Sequence, residues 1–161
     1  MKEDSKDKAL REHVLFLLDG GGAHAKFDKV IAGIPPKLLR QKPAGLPHSL
    51  WMLLEHLRIA QWDILEFSRN AKHASPKWPE GYWPPTEAPP SAADWNASVK
   101  KFRQDLKAMQ DLVKDPRTDL FAKISWGDGQ TVLREALLLA DHNAYHLGQM
   151  LDVRRLLGAW K

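Results

Sequence analysis

Apolar residues recur in five segments of this chain at the three-to-four-residue spacing of amphipathic helices. The spacing predicts helices over about 5–19, 23–32, 50–70, 92–114 and 132–157. No segment shows the sustained alternation of apolar and polar residues that a half-buried strand requires, although 116–130 could hold a small hairpin. The pattern therefore predicts an all-α protein.

Polar caps and glycines mark the ends of these helices. Ser49, Ser91 and Thr131 each precede a helical pattern, where a hydroxyl can accept a hydrogen bond from a backbone N–H of the first turn. Three glycines at 20–22 should end or kink the first helix, because they carry a large backbone entropy cost. Long antiparallel helices with one crossover loop predict an up-and-down four-helix bundle. We expect residues 1–161 to be a single domain.

Residues 71–90 form a connection of a different kind. Six of these twenty residues are proline, which excludes regular helix. Trp78, Tyr82 and Trp83 are interleaved with the prolines, and three aromatic side chains of this size are not expected to lie in water. We therefore predict an ordered, extended crossover loop, rich in proline and tryptophan, that lies on the helical body.

Composition and charge narrow the class of protein. The chain has no cysteine, which excludes disulfides, thiolate metal ligands and a cysteine nucleophile. The formal net charge is +4 and the basic residues are interleaved with acidic ones, as is typical of a solvated surface rather than of a nucleic-acid-binding face. Residues 1–10 do not resemble a secretory signal, and no apolar stretch has the length of a membrane span. We expect a cytoplasmic protein that binds neither nucleic acid nor membrane.

Three histidines have the spacing of a metal site. His142 and His146 are one helical turn apart on the face expected to be buried, and His56 lies at the edge of the apolar stripe of an earlier helix. Two such imidazoles can bind one metal ion from the same side, and a third can complete a set with open coordination positions. The alternative is a polar layer in the core, in which His56, Asn143 and Gln149 satisfy one another. The spacing leaves both interpretations open.

The other histidines are weaker candidates. His13, His24 and His73 lack such geometry and are expected at the surface or at helix ends. His48, just before the third helix, could face the same pocket as His56. We give neither group a functional role from the sequence.

The carboxylates near these histidines bear on the chemistry. No glutamate stands between the two histidines of the last helix, so the usual general base of metalloproteases is missing and peptide hydrolysis is disfavoured. Asp63, two turns from His56 on the same face, could orient a ligand imidazole. Glu55 and Asp141 are expected to be exposed carboxylates on helix surfaces. No catalytic residue is assigned.

The segments around the histidines, Leu46–Leu57 and Asp141–Gln149, resemble those of the DinB/YfiT-like superfamily of metalloenzymes, and Trp78–Pro84 resembles one of its subgroups. The resemblance covers nearly the whole chain. It implies a four-helix bundle with a three-histidine site for a divalent metal, commonly nickel or zinc. The residues that match the ligands of that family are His56, His142 and His146.

The resemblance also implies a class of function without naming a substrate. Characterised relatives include thiol-dependent transferases and a maleylpyruvate isomerase, so we expect a metal-dependent enzyme, hydrolytic or thiol-transferring, that acts on a small molecule. The alternatives are a metal-binding or ligand-binding stress protein without turnover, and a purely structural bundle with a histidine core. Because bundles of this family are often dimeric, the loop at 71–90 is expected either to fold back over the metal site or to contact a second subunit of a homodimer.

Overall fold

Helices account for all the regular structure in the described part of the chain. The computed structural model describes the backbone of residues 2–160 and the side chains of residues 5–160, and within these it contains no β-strand. Its five α-helices are α1 Lys2–Leu18, α2 Phe27–Ile31, α3 Leu50–Arg69, α4 Ala92–Lys114 and α5 Val132–Leu156. No helix in this part of the chain combines the length and the apolar content that crossing a membrane would require. The all-α prediction is confirmed.

The three longest helices begin at the predicted caps. The hydroxyl groups of Ser49, Ser91 and Thr131 each accept a hydrogen bond from the backbone N–H three residues later, at 3.2, 3.3 and 3.1 Å. Each bond satisfies one of the N–H groups that a helix start leaves without an intrahelical partner. The first helix ends at Leu18, and Gly20 follows with a φ of +94°, a conformation that side-chain-bearing residues rarely adopt.

Two short elements differ from their predicted form. The helix expected over 23–32 is reduced to α2, because the backbone is extended at both Lys26 and Ala32. The hairpin considered for 116–130 is a single antiparallel bridge between Lys123 and Thr131. This connection is held by burial of side chains rather than by a strand ladder, since an apolar cluster of its own lies beneath it, formed by Leu120, Ile124 and Val132.

The four long helices enclose two apolar clusters. Helix α3 packs against α4 and α5, and α1 packs against the same two helices. The first cluster joins the N-terminal half of α3 to the C-terminal half of α5 and includes Leu57 and Leu147. The second cluster joins the other halves of these helices and includes Ile64 and Leu139. Polar side chains lie between the two clusters along α3 and α5, all buried except the partly exposed His142. We call this region the polar layer: Gln61, His142, Asn143 and His146.

Candidate metal centre

Three imidazoles converge where α3 packs against α5. His56 comes from α3, and His142 and His146 project from successive turns of α5. The Nε2 atom of His56 lies 3.1 Å from the Nε2 atom of each of the other two, and one ring nitrogen from each residue falls within 4.8 Å of the rest. His56 and His146 are buried, whereas His142 is partly exposed. The three residues selected from the sequence are therefore brought together.

The spacing of the three nitrogens suits a metal ion. An ion about 2.0–2.1 Å from each imidazole nitrogen would hold two of them about 2.9 Å apart in an octahedral arrangement and about 3.3 Å apart in a tetrahedral one. The 3.1 Å separations lie between these values. Because the chain has no cysteine, the donor set is nitrogen and oxygen, which suits zinc and nickel better than the soft metals that require sulfur.

The outer ring nitrogens of two ligands face hydrogen-bond acceptors. The Nδ1 atom of His56 lies 2.9 Å from the backbone carbonyl oxygen of Tyr82, and the Nδ1 atom of His146 lies 2.7 Å from Oε1 of Gln149. A carbonyl oxygen can only accept, so Nδ1 carries the proton in each case. In a neutral imidazole the Nε2 atom is then a bare acceptor. Both lone pairs consequently point into the centre of the cluster.

The polar side chains around the cluster do not pair as the polar-layer interpretation expected. His56, Asn143 and Gln149 do not satisfy one another, because each bonds a different partner: Tyr82, Gln61 and His146, respectively. The Nδ1 atom of His142 and the Oδ1 atom of Asn143 are buried and have no hydrogen-bond partner within the described residues.

Burial keeps the imidazoles neutral. It lowers the pKa of His142 to about 3, helped by the neighbouring imidazoles of His146 and His56. It lowers the pKa of His146 to about 4, although the hydrogen bond to Gln149 opposes that shift. The pKa of His56 is lowered by burial as well, against the bond to the Tyr82 carbonyl. Neutral imidazoles are the form that binds metal ions.

The loop at 71–90 folds back over the cluster. The indole of Trp83 stacks on His56 with ring centroids 4.0 Å apart and planes 3° apart, and the ring of His48 stacks on Trp83 at the same distance. The expected wall over the site is therefore present in Trp83, and His48 is separated from His56 by that indole. Trp78 was expected to pack either with them or against a second subunit. In the single chain it is 69% exposed and touches only the ring edge of Tyr82 among aromatic groups of the described residues.

Asp63 holds this loop in place. Its Oδ2 accepts a 2.5 Å hydrogen bond from the Tyr82 hydroxyl, and its Oδ1 lies 2.7 Å from Nε2 of His73. The expected direct bond from Asp63 to a ligand imidazole is absent among the described contacts. Asp63 acts on the site indirectly: it binds the hydroxyl of Tyr82, and the backbone carbonyl of Tyr82 in turn orients His56. Burial and the Asp63 carboxylate raise the pKa of the Tyr82 phenol, so that group stays protonated.

Other expectations about single residues had mixed outcomes. His13, His24 and Asp141 are exposed, as predicted. His73 lies near a helix end, just beyond Arg69 of α3, but it is not at the surface, since its side chain is 6% exposed and provides a partner for the buried Asp63. The prediction for Glu55 was wrong, because it is buried and paired with Arg58.

Two contributors to the site were missed from the sequence. Gln61 stands four residues after Leu57 and three before Ile64, so a polar residue on the buried stripe could have revealed it. The Tyr82 carbonyl is a backbone group, and no pattern of side chains indicates where it would lie.

Comparison with known proteins identifies the family of this chain. A family model for the DinB superfamily matches residues 22–150, a range that contains all three clustered histidines. No curated protein and no solved structure matches the chain.

Proposed function

This chain belongs to the DinB superfamily, and from that premise we propose that it binds one divalent metal ion through His56, His142 and His146. The observation that carries the proposal is the convergence of three Nε2 atoms, two of them fixed as acceptors by bonds at Nδ1. Nickel and zinc are the ions we expect, since both bind imidazole nitrogen well.

A metal ion explains the cluster better than a shared proton does. Two bare acceptor nitrogens 3.1 Å apart repel each other unless a cation lies between them. A proton could lie between His56 and His146 only if one of these imidazoles were charged, and burial lowers the pKa of both, that of His146 to about 4. A purely structural histidine core is therefore disfavoured near pH 7.

The proposed chemistry is that of a metal-dependent enzyme, either a hydrolase or a thiol-dependent transferase. When bound, a divalent ion would supply Lewis acidity to an oxygen or sulfur atom of a substrate. Trp83 would shield one side of the site from water. A cavity of about 140 Å³, lined in part by His48 and Gln149, adjoins the ligand His146 and could receive part of a small-molecule substrate.

The carboxylates near the cluster favour thiol transfer over hydrolysis. Asp63 is occupied by Tyr82 and His73, and Glu55 is occupied by Arg58. Neither is free to act as a general base toward water. A thiol needs less help, because its ordinary pKa of about 8.5 lets it ionise near neutral pH.

The metal proposal is tested by titrating the stripped protein with Zn²⁺ and Ni²⁺ in a calorimeter. We expect about one ion per chain, and we expect His56→Ala and His146→Ala to abolish stoichiometric binding. His24→Ala is the matched control, because His24 is exposed and is not one of the three clustered histidines. Full retention of metal by both ligand variants would overturn the assignment.

A metal-binding or ligand-binding stress protein without turnover is the second candidate. A screen of the metal-loaded protein with thiol cosubstrates and electrophilic acceptors, and with simple esters, separates the two. Turnover that disappears in His146→Ala supports an enzyme, and absence of turnover across both panels supports a binding protein.

We also propose that α1, α3, α4 and α5 form an up-and-down four-helix bundle, that the chain is one domain, and that it works in the cytoplasm. The pairing of α3 and α1 with the same two helices supports the bundle.

A homodimer is proposed through the groove between α1 and α5, where Phe16, Leu17 and Leu137 are 57%, 47% and 42% exposed. Comparing the sedimentation of the Phe16→Glu variant with that of the unaltered protein tests the homodimer, because a glutamate charge in this apolar groove should yield a monomer.

A further inference from the structure

We propose that Gln61 and Asn143 form a buried amide chain that positions His142 as a metal ligand, an inference that rests on the metal site proposed above. Nε2 of Gln61 donates to the backbone carbonyl oxygen of Phe102 on α4 at 2.6 Å. Nδ2 of Asn143 donates to Oε1 of Gln61 at 3.0 Å. Gln61 is fully buried and Asn143 is 7% exposed, so water does not compete for these bonds.

The direction of every bond in this chain is fixed by its first member. The Phe102 carbonyl can only accept, so Gln61 must turn its NH₂ group toward α4 and its oxygen toward α5. Asn143 must then turn its own NH₂ group toward that oxygen. The Oδ1 atom of Asn143 is left on the far side, as an acceptor that requires a donor.

The donor available to it is Nδ1 of His142. Both atoms are buried from solvent, and neither has a hydrogen-bond partner within the described residues. Neighbouring residues of a helix usually face apart, but both of these side chains enter the polar layer. Burial lowers the pKa of His142, and the Asn143 side chain opposes that shift, as a hydrogen-bond acceptor at the imidazole does.

This pairing decides which ring nitrogen of His142 carries the proton. With the proton on Nδ1, both orphaned atoms are satisfied and Nε2 presents its lone pair to the cluster. With the proton on Nε2, His142 would donate to His56 instead, but Nδ1 of His142 and Oδ1 of Asn143 would remain as two buried acceptors without donors, which is costly. The same arrangement holds for the other ligands, whose Nδ1 atoms meet Tyr82 and Gln149. Of the three ligands, only His142 would be connected to α4 by hydrogen bonds, through Asn143 and Gln61.

The tautomer of His142 in metal-free, ¹⁵N-labelled protein tests the inference directly. Its ring signals are assigned by their loss in His142→Gln. We expect the Nδ1–H form in the unaltered protein and a shift toward the Nε2–H form in Asn143→Leu, which removes the acceptor. Zn²⁺ affinity of Asn143→Leu should fall about 10- to 100-fold, the usual effect of removing a partner of a ligand imidazole.

Two further variants separate orientation from packing. Asn143→Asp keeps an acceptor for His142 but gives up the donor to Gln61, so it should unfold more easily while retaining the Nδ1–H tautomer. Its Zn²⁺ affinity should be no weaker than that of the unaltered protein, because a carboxylate partner raises the basicity of a ligand imidazole. The control is Ser68→Ala, which deletes another buried hydrogen bond on α3, to Ile64, and should change stability alone.

An Nε2–H tautomer in the unaltered protein would overturn the inference, as would an unchanged tautomer in Asn143→Leu. If Asn143→Leu does not fold, the unaltered protein and Asn143→Asp still decide the matter. If no variant binds Zn²⁺ but the tautomers follow the expected pattern, the amide chain stands and the metal proposal fails.

Discussion

Mild acid should destabilise the metal-free protein at a pH where most carboxylates are still ionised. Burial lowers the pKa of His142 to about 3 and that of His146 to about 4. In the unfolded chain the same imidazoles titrate at an ordinary value of about 6.5. Between these pKa values the unfolded state binds more protons than the folded state, so the free energy of unfolding falls as the pH drops. The contribution is fully present above pH 6.5 and is lost progressively toward the folded-state pKa values.

The size of the effect at pH 5 follows from the distance to the unfolded pKa. Each imidazole is then about 1.5 pH units below 6.5, and one unit corresponds to about 1.36 kcal/mol. His142 and His146 together should therefore lower the free energy of unfolding by about 4 kcal/mol between neutral pH and pH 5. His56 adds to the loss, since its pKa is also lowered by burial. A typical domain has about 5–15 kcal/mol in total, so the change is easy to detect.

Urea unfolding of chelator-stripped protein, followed by circular dichroism at pH 7, 6 and 5, measures this loss. The variant His146→Gln lacks one of the buried imidazoles and should lose about 2 kcal/mol less than the unaltered protein over the same range. His24→Gln is the control, because His24 is exposed and should leave the pH dependence unchanged.

Two results would refute this reasoning. A free energy of unfolding that stays constant from pH 7 to pH 5 would mean that the clustered imidazoles accept protons in the folded state. An equal loss in His146→Gln and the unaltered protein would place the acid sensitivity outside the cluster. In the metal-loaded protein the same protons compete with the ion, so metal affinity should fall as the pH drops through about 6.

Three other predictions concern the loop and the metal. Asp63→Ala removes the anchor of Tyr82, whose carbonyl orients His56, so the metal dissociation constant should rise about tenfold in calorimetry; an unchanged constant would mean that the loop holds without Asp63. Trp83→Ala should weaken azide or thiol binding at the metal while sedimentation shows the same oligomer, whereas a monomer with an unaltered metal site would assign the loop to a subunit interface. Removing the metal with a chelator should lower the free energy of unfolding by about 2.7 kcal/mol if the metal had been present at a hundred times its dissociation constant. That loss corresponds to a melting temperature about 5–11 °C lower for a chain of this size, with the helical circular dichroism retained. Complete unfolding on chelation would indicate a structural metal.

The long helices and the three clustered histidines were predictable because their signals are local. Apolar spacing and a capping hydroxyl act within a few residues of one another, which is why the starts at Ser49, Ser91 and Thr131 agree with the structure. The pair His142 and His146 needs only the helical repeat to share a face. Only the placement of His56 beside them depends on how α3 packs against α5.

The surroundings of the site were less predictable because they depend on contacts across the chain. Nothing in the sequence around Asp63 indicates that it bonds a tyrosine and a histidine of the loop rather than a ligand. The burial of the His73 side chain was missed for the same reason, because it depends on the contact with Asp63. Trp78 does not join the wall that Trp83 forms over the site, since it is 69% exposed in the single chain, and its contact with a second subunit stays a prediction.

The polar layer and the metal site, which the sequence presents as alternatives, are parts of one arrangement. Gln61 and Asn143 belong to the polar layer, which lies between the two apolar clusters of the interior. A buried amide pair of this kind is satisfied only if its last acceptor finds a donor, and the donor we propose is Nδ1 of His142, which likewise has no hydrogen-bond partner within the described residues. When Nδ1 of His142 carries the proton and donates it to Asn143, Nε2 of His142 is left unprotonated in the centre of the cluster. The same hydrogen bonds that satisfy the core therefore leave the Nε2 atoms without a donor, and a cation is the group that can stabilise them. We accordingly expect the metal site to be formed already in the metal-free fold.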